Sequence, residues 1–223
     1  MKIKKLSKDF PIDISFLPFA AKNYNISPNI EDYLIFSTII CPAGLPNRNG
    51  IAFPIEELVK LTDPPDPHFV YKGWVGCPVH VEHQNEDKKT AVGVVFDTSL
   101  KKAPKIYGNG KLYNVIGILG IDRKKAPEIA EKFEKGEINT VSMGALAGYC
   151  TCSYCGAVCT AQKHCSHVKG GSECVNFTPI VDSLGNVHLA FLNAHDLECI
   201  EVSIVKDPAW APAQSDYILN NRK

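Results

Sequence analysis

Residues 137–171 read EINTVSMGALAGYCTCSYCGAVCTAQKHCSHVKGG, and they join two unlike patterns. The first part is apolar and strand-like and carries one serine, Ser142. From Cys150 onward cysteine and histidine dominate. Just upstream, APEIAEKFEKG (126–136) sets Ile129, Ala130 and Phe133 at helical spacing and ends on glycine, which predicts an amphipathic helix. A helix followed at once by a strand, and then by a cysteine cluster, is the local grammar from which the remaining elements can be placed.

Outward from this stretch, strand patterns outnumber helical ones. Residues 34–40 (LIFSTII), 91–98 (AVGVVFDT), 111–121 (KLYNVIGILGI), 186–194 (NVHLAFLNA) and 198–205 (ECIEVSIV) predict strands. Residues 53–63 predict a short helix with Pro54 in its first turn. Residues 1–33, interrupted by Pro11, Pro18 and Pro28, read as irregular, and 41–50 as loop. Strands and helices do not alternate regularly, which argues against a doubly wound sheet. The expected class is α+β, mainly an antiparallel β-barrel or sandwich with flanking helices. One domain over 1–223 is expected, with an insert at 150–175.

Composition narrows the function. Lys+Arg and Asp+Glu both number 24, so the net charge is zero, which argues against a protein built to coat nucleic acid. No apolar run is long enough to span a bilayer. The N-terminus begins like a secretion signal, but Asp9, Pro11, Asp13 and Pro18 break its apolar region. Six of the nine cysteines fall between Cys150 and Cys174. Clustering beside histidine points to metal in a reducing compartment rather than to a disulfide framework.

Within the cluster, Cys152-Ser-Tyr-Cys155-Gly is a two-thiolate knuckle, and Cys165-Ser-His167 follows after nine residues. Cys152, Cys155, Cys165 and His167 form a Cys₃His set suited to tetrahedral zinc. Cys150, Cys159, His164 and Cys174 are substitutes for the fourth place. Four soft ligands close the coordination shell, so the expected role of the zinc is structural.

Ser142 needs a base to become a nucleophile, and the base needs a third group to orient it. Among the histidines, His83 ends an extended stretch, CPVHVEH, at a polar turn. Strand alternation carried through to His83 would put it on the face of Val79 and Val81. The segments PVHVEHQNEDKKTAVGVVFD, INTVSMGALAGYC and LECIEVSIVKDPAWAPA together resemble the prohead (head maturation) serine proteases of tailed bacteriophages, over roughly residues 35–212. The resemblance points to His83 as the base and Ser142 as the nucleophile. It implies the β-barrel fold of the herpesvirus assembly protease. It also implies endopeptidase cleavage of scaffold, core and capsid proteins, and of the protease itself, inside the immature shell in the host cytoplasm. Cleavage after an acidic residue and dimerisation are expected by the same analogy. Glu201 is the candidate orienting group, with His195, Glu198 and His188 as alternatives. The competing readings are a zinc-ribbon binding module, an inactive head protein with the same fold, and a zinc hydrolase.

Overall fold

Tyr33–Ala43 (YLIFSTIICPA) is the spine of the molecule, because its β-branched and aromatic residues are buried on both faces. The computed structural model describes residues 2–3, 12–103, 112–160, 162–168 and 178–219. In chain order the elements are β1 (Lys2–Ile3), α1 (Leu17–Tyr24), β2 (Tyr33–Ala43), β3 (Ile51–Ala52), α2 (Ile55–Leu58), β4 (Pro78–Val81), β5 (Gly93–Lys102), β6 (Tyr113–Asp122), α3 (Pro127–Lys135), β7 (Val141–Cys152), β8 (Val158–Cys159), β9 (Thr178–Val181), β10 (Val187–Ala190), β11 (Leu192–Ile204) and β12 (Ser215–Ile218).

The large sheet has the order β1-β12-β2-β6-β5-β4-β11-β7-β8, with β3 also paired to β11. Most pairings are antiparallel, but β1·β12, β3·β11 and β4·β11 are parallel. Alternation along β2 feeds two cores. Leu34 and Phe36 pack with Val95, Leu119, Ile121 and Phe133 of α3. Tyr33 and Ile35 pack with Val94, Phe96, Ile118 and with Leu17 and Ala20 of α1. Each helix therefore seals one face of the same strands.

The class is mixed α+β, dominated by sheet. The ladder is an open path, so continuous pairing does not close the expected barrel. One isolated bridge, Thr140 to Gln214, brings the start of β7 to the start of β12. The Val141 N–H donates to Ala213 O at 3.0 Å and the Ser215 N–H to Asn139 O at 2.7 Å. The sheet thus curls until the beginnings of two of its strands touch.

Several local expectations need correction. Residues 1–33 contain α1: Pro18 lies in its first turn, where no hydrogen bond is lost, and Asn25 closes it in the left-handed region at φ 55°. Strand β2 runs through Pro42 to Ala43, into the expected loop. The helix expected over 53–63 shrinks to Ile55–Leu58. Helix α3 matches its expectation, ending on Gly136 at φ 73°. No helix of the described residues is long and apolar enough to cross a membrane.

Candidate active site and metal centre

β7 and β11 form the longest antiparallel ladder near the site, and its register decides which side chains meet. Ser142 lies opposite Ser203, Met143 opposite Val202, and Gly144 opposite Glu201. The register shifts between Cys199 and Glu201, so Ile200 is the extra residue of a bulge. Residues directly opposite share a face, with Cβ atoms about 5 Å apart. Ser142, Ser203, Gly144 and Glu201 therefore converge on one side of the sheet. Gly144 makes room for this: a Cβ at that position would lie 2.7 Å from Glu201 Oε1.

Glu201 is fully buried, with 0% exposure. Both carboxylate oxygens are nevertheless satisfied. The His83 Nδ1–H donates to Oε1 at 2.6 Å, and the Ser203 Oγ–H donates to Oε2 at 2.5 Å. The pairing meets the rule that a buried charge needs partners. Ser203 Oγ also accepts the backbone N–H of His83 at 3.1 Å, so one hydroxyl ties the base to its acid.

β4 stops at Val81, which corrects the expectation that alternation reaches His83. Glu82 and His83 instead take left-handed φ values of 50° and 56°. Two such residues in succession are strained and persist only where the surroundings over-determine them. Here the Glu82 N–H donates to Ile204 O at 2.9 Å, and the Glu82 carboxylate accepts the Lys206 N–H at 3.0 Å. With the His83–Ser203 bond, the turn is fastened to the end of β11 at three points. The turn swings the imidazole over Glu201 while leaving 46% of the His83 side chain accessible. The hydrogen bond to the Glu201 carboxylate raises the pKa of His83 above 6.5, although partial burial opposes it.

Ser142 is buried to 9% exposure. No group among the described residues hydrogen-bonds its hydroxyl, so the His83–Ser142 contact is not made in this structure. The two are joined through Ser203, which bonds His83 and Glu201 and lies opposite Ser142. Ser203 is the site residue that the sequence reading passed over; its spacing of two from Glu201 was the available signal.

The alternative orienting groups lie elsewhere. His195 Nε2 bonds Thr151 Oγ1 at 2.9 Å, and its Nδ1 lies 3.8 Å from Glu57 Oε2. His188 Nε2 bonds Asp182 at 2.9 Å on the β9–β10 hairpin. Glu198 is exposed opposite Leu146. His80 is buried in β4 opposite Ser203, with Nδ1 3.3 Å from Thr90 Oγ1, and burial lowers its pKa.

At the far end of β7, the ligand atoms of Cys152, Cys155, Cys165 and His167 all lie within 4.8 Å of one another. These are the four expected ligands, and the group could hold a metal ion. The donor chemistry fits: three sulfurs surround an imidazole whose Nδ1 is buried without a hydrogen-bond partner. Backbone N–H of Ala157 pulls the exposed Cys155 thiol down to about 7, toward the thiolate a metal requires. Of the substitutes, Cys150 lies opposite Cys159 across β7·β8 and His164 is exposed outside the group, while Cys174 lies outside the described residues. Ser142 and Cys152 stand ten positions apart on one strand, about 30 Å at strand rise.

Comparison with known proteins found no matching family model, no matching curated protein and no matching solved structure, so the function must be argued from the chain's own geometry.

Proposed function

We propose that this chain is a serine endopeptidase of the prohead-maturation kind, with Ser142 as nucleophile, His83 as general base and Glu201 as the orienting acid. The observation that carries the reading is the Glu201 carboxylate: fully buried, bonded to His83 Nδ1, and bonded through Ser203 to the ladder position facing Ser142. A buried acid fixing one imidazole nitrogen leaves Nε2 as the proton acceptor, which is the chemistry an acyl-transfer base needs. Hydroxyl–imidazole contacts in apo enzymes often tighten only when substrate arrives.

In this mechanism Ser142 Oγ attacks a peptide carbonyl and its proton passes to His83 Nε2. The C–N bond breaks as His83 returns that proton to the leaving amine. Water, deprotonated by the same imidazole, then releases the acyl group from Ser142. Glu201 stabilises the imidazolium in both halves. The curl of the sheet supports an assemblin-like barrel, drawn together where Thr140 meets Gln214. Zinc is the metal that suits Cys152, Cys155, Cys165 and His167, and its role is to brace the loop after β7. A separation of about 30 Å along one strand argues against its touching the reacting atoms. Scaffold, core and capsid proteins of the assembling phage head are the proposed substrates, met inside the immature shell in the host cytoplasm.

The test is to co-express the chain with the scaffold and shell proteins encoded beside it and to map new termini by mass spectrometry. Processing by the unaltered chain, lost in Ser142→Ala and in His83→Ala while circular dichroism stays native, is expected. Processing at near-normal rate by either variant overturns the assignment. The free Ser142 hydroxyl favours one second reading, an inactive head protein with the same fold. Covalent labelling of Ser142 by a fluorophosphonate probe separates the two.

A further inference from the structure

One buried titratable side chain near the site has no part in the mechanism above. His80 lies in β4 with 1% exposure, directly opposite Ser203 in the parallel β4·β11 pairing. On its other side Ser203 lies opposite Ser142 of β7. Ser142, Ser203 and His80 thus form a polar row across three neighbouring strands, on the face that carries Glu201.

The contacts of the His80 imidazole define its tautomer. Its Nδ1 is within hydrogen-bond reach of Thr90 Oγ1 at 3.3 Å, and the same hydroxyl lies 2.7 Å from Asp87 O and 3.1 Å from Gln84 O. Carbonyl oxygens only accept, so the one hydroxyl hydrogen goes to them and a hydroxyl lone pair receives the Nδ1–H. Nε2 is then a bare lone pair, buried with no hydrogen-bond partner among the described residues. Burial, the largest influence, lowers the pKa of His80 from 6.5; Lys125 adds to this, while Glu201, Glu86 and Asp87 oppose it. The ring is therefore uncharged at neutral pH.

A buried imidazole with one nitrogen unsatisfied is costly, and an apolar side chain would fill the same place without that cost. What the imidazole does instead is hold a loop. Thr90 closes residues 84–90, the segment that follows His83, and its hydroxyl grips the carbonyl of Gln84. The Gln84 N–H donates to Val81 O at 3.1 Å and the Asn85 N–H to His83 O at 2.9 Å, so this grip bears on the turn itself. The Glu82–His83 turn is fastened to β11 on one side, and on the other it is tied back to β4 through Gln84, Thr90 and His80.

We propose that His80 is a positioning residue for the general base: by donating Nδ1–H to Thr90 it fixes the loop after His83 and so holds the His83 imidazole on Glu201. The arrangement closes a ring, because Ser203, which binds the His83 N–H and the Glu201 carboxylate, is the residue that His80 faces across the sheet. The role of His83 as base rests on the endopeptidase reading; the hold on its ring does not.

The experiment follows the His83 ring by NMR titration in the full chain, together with the rate at which a fluorophosphonate labels Ser142. His80→Leu removes the donor and keeps an apolar fill. Thr90→Val removes the hydroxyl from an exposed loop position and keeps the shape. In both, the His83 titration midpoint should fall toward 6.5, as the bond to Glu201 that raises it loosens. Labelling should slow about 10- to 100-fold, the effect of a base displaced by about 1 Å. The double variant should do no more than either alone, because both act on one bond. His80→Asn, whose amide N–H can stand where Nδ1–H did, should restore most of both readouts. The urea midpoint of His80→Leu should hold or rise, since the unsatisfied nitrogen is gone. An unmoved His83 titration in both variants overturns the proposal. So does slower labelling that tracks a lowered urea midpoint without moving that titration. If His80→Leu fails to fold, Thr90→Val and His80→Asn decide the matter by the same readouts. Labelling of the unaltered chain that neither variant slows sinks only the positioning. A titration that the variants move, in a chain that the probe never labels, sinks only the endopeptidase.

Discussion

A carboxylate with no exposed surface, such as Glu201, is tolerated because two donors reach it, and each donor gives a separate test. Glu201→Gln keeps the shape but replaces the acceptor that fixes His83. As the proposed general base His83 is active only when neutral, and the Glu201 hydrogen bond raises its pKa above 6.5, so the acid limb of kcat/KM should lie above that pH. In Glu201→Gln the limb should move to lower pH, while kcat falls by about 10³-fold or more. An unmoved limb in a pH-rate profile would separate Glu201 from the base. Gly144→Ala tests the same carboxylate from the other strand. The new methyl would sit 2.7 Å from Glu201 Oε1, and the carboxylate cannot yield without stretching its bonds to His83 and Ser203. The expected outcome is a loss of about 1–3 kcal/mol in urea denaturation, with a larger proportional loss of activity.

At the scale of elements, β7 carries Ser142 near one end and Cys152 of the candidate metal group at the other, and β11 runs beside it from Leu192, opposite Cys152, to Glu201 and Ser203. The ligand end is poorly supported by its own packing. Its core is a small cluster of Cys152, Cys159, Val168, Ala190 and Leu192, and the β9–β10 hairpin beside it has only two strands. An isolated two-stranded hairpin is marginal in water, so a metal clip is the natural stabiliser here. Chelation, or Cys152→Ser or Cys155→Ser, should release about one zinc per chain by elemental analysis. Hydrogen exchange should accelerate from Cys150 to Thr160, from Gln162 to Val168 and in the β9–β10 hairpin, and stay slow in β2, β5 and β6. Full protection of the cysteine segment in metal-free protein would remove the structural role.

For the whole molecule, stability resides where α3 and α1 close the two faces of β2, β5 and β6. Phe133 of α3 is fully buried, with its ring centroid 4.2 Å from that of Phe36. Phe133→Ala should cost about 3–5 kcal/mol in denaturant midpoint measurements, through the cavity it leaves. A shift below about 1 kcal/mol would mean that α3 is not integral to the core. The strand-rich class, the helix at 127–135 and the cysteine–histidine group that could hold a metal were legible in the chain because each follows from local periodicity or close spacing. Three things were not. α1 was hidden because prolines read as breakers, although one of them occupies a helix's first turn. The left-handed turn at Glu82 and His83 was hidden because no glycine or asparagine marks it, and contacts from Ile204, Ser203 and Lys206, distant in sequence, hold it. The relation of Ser142 to Glu201 was hidden because a one-residue bulge at Ile200 sets the register. Residue order alone thus determined most of the strands, the helix at 127–135 and where a metal can bind, since those depend on neighbours within a few positions. Which serine, histidine and acid share a face was decided only by tertiary structure, because strand register and a strained turn arise from pairing between segments some sixty residues and more apart.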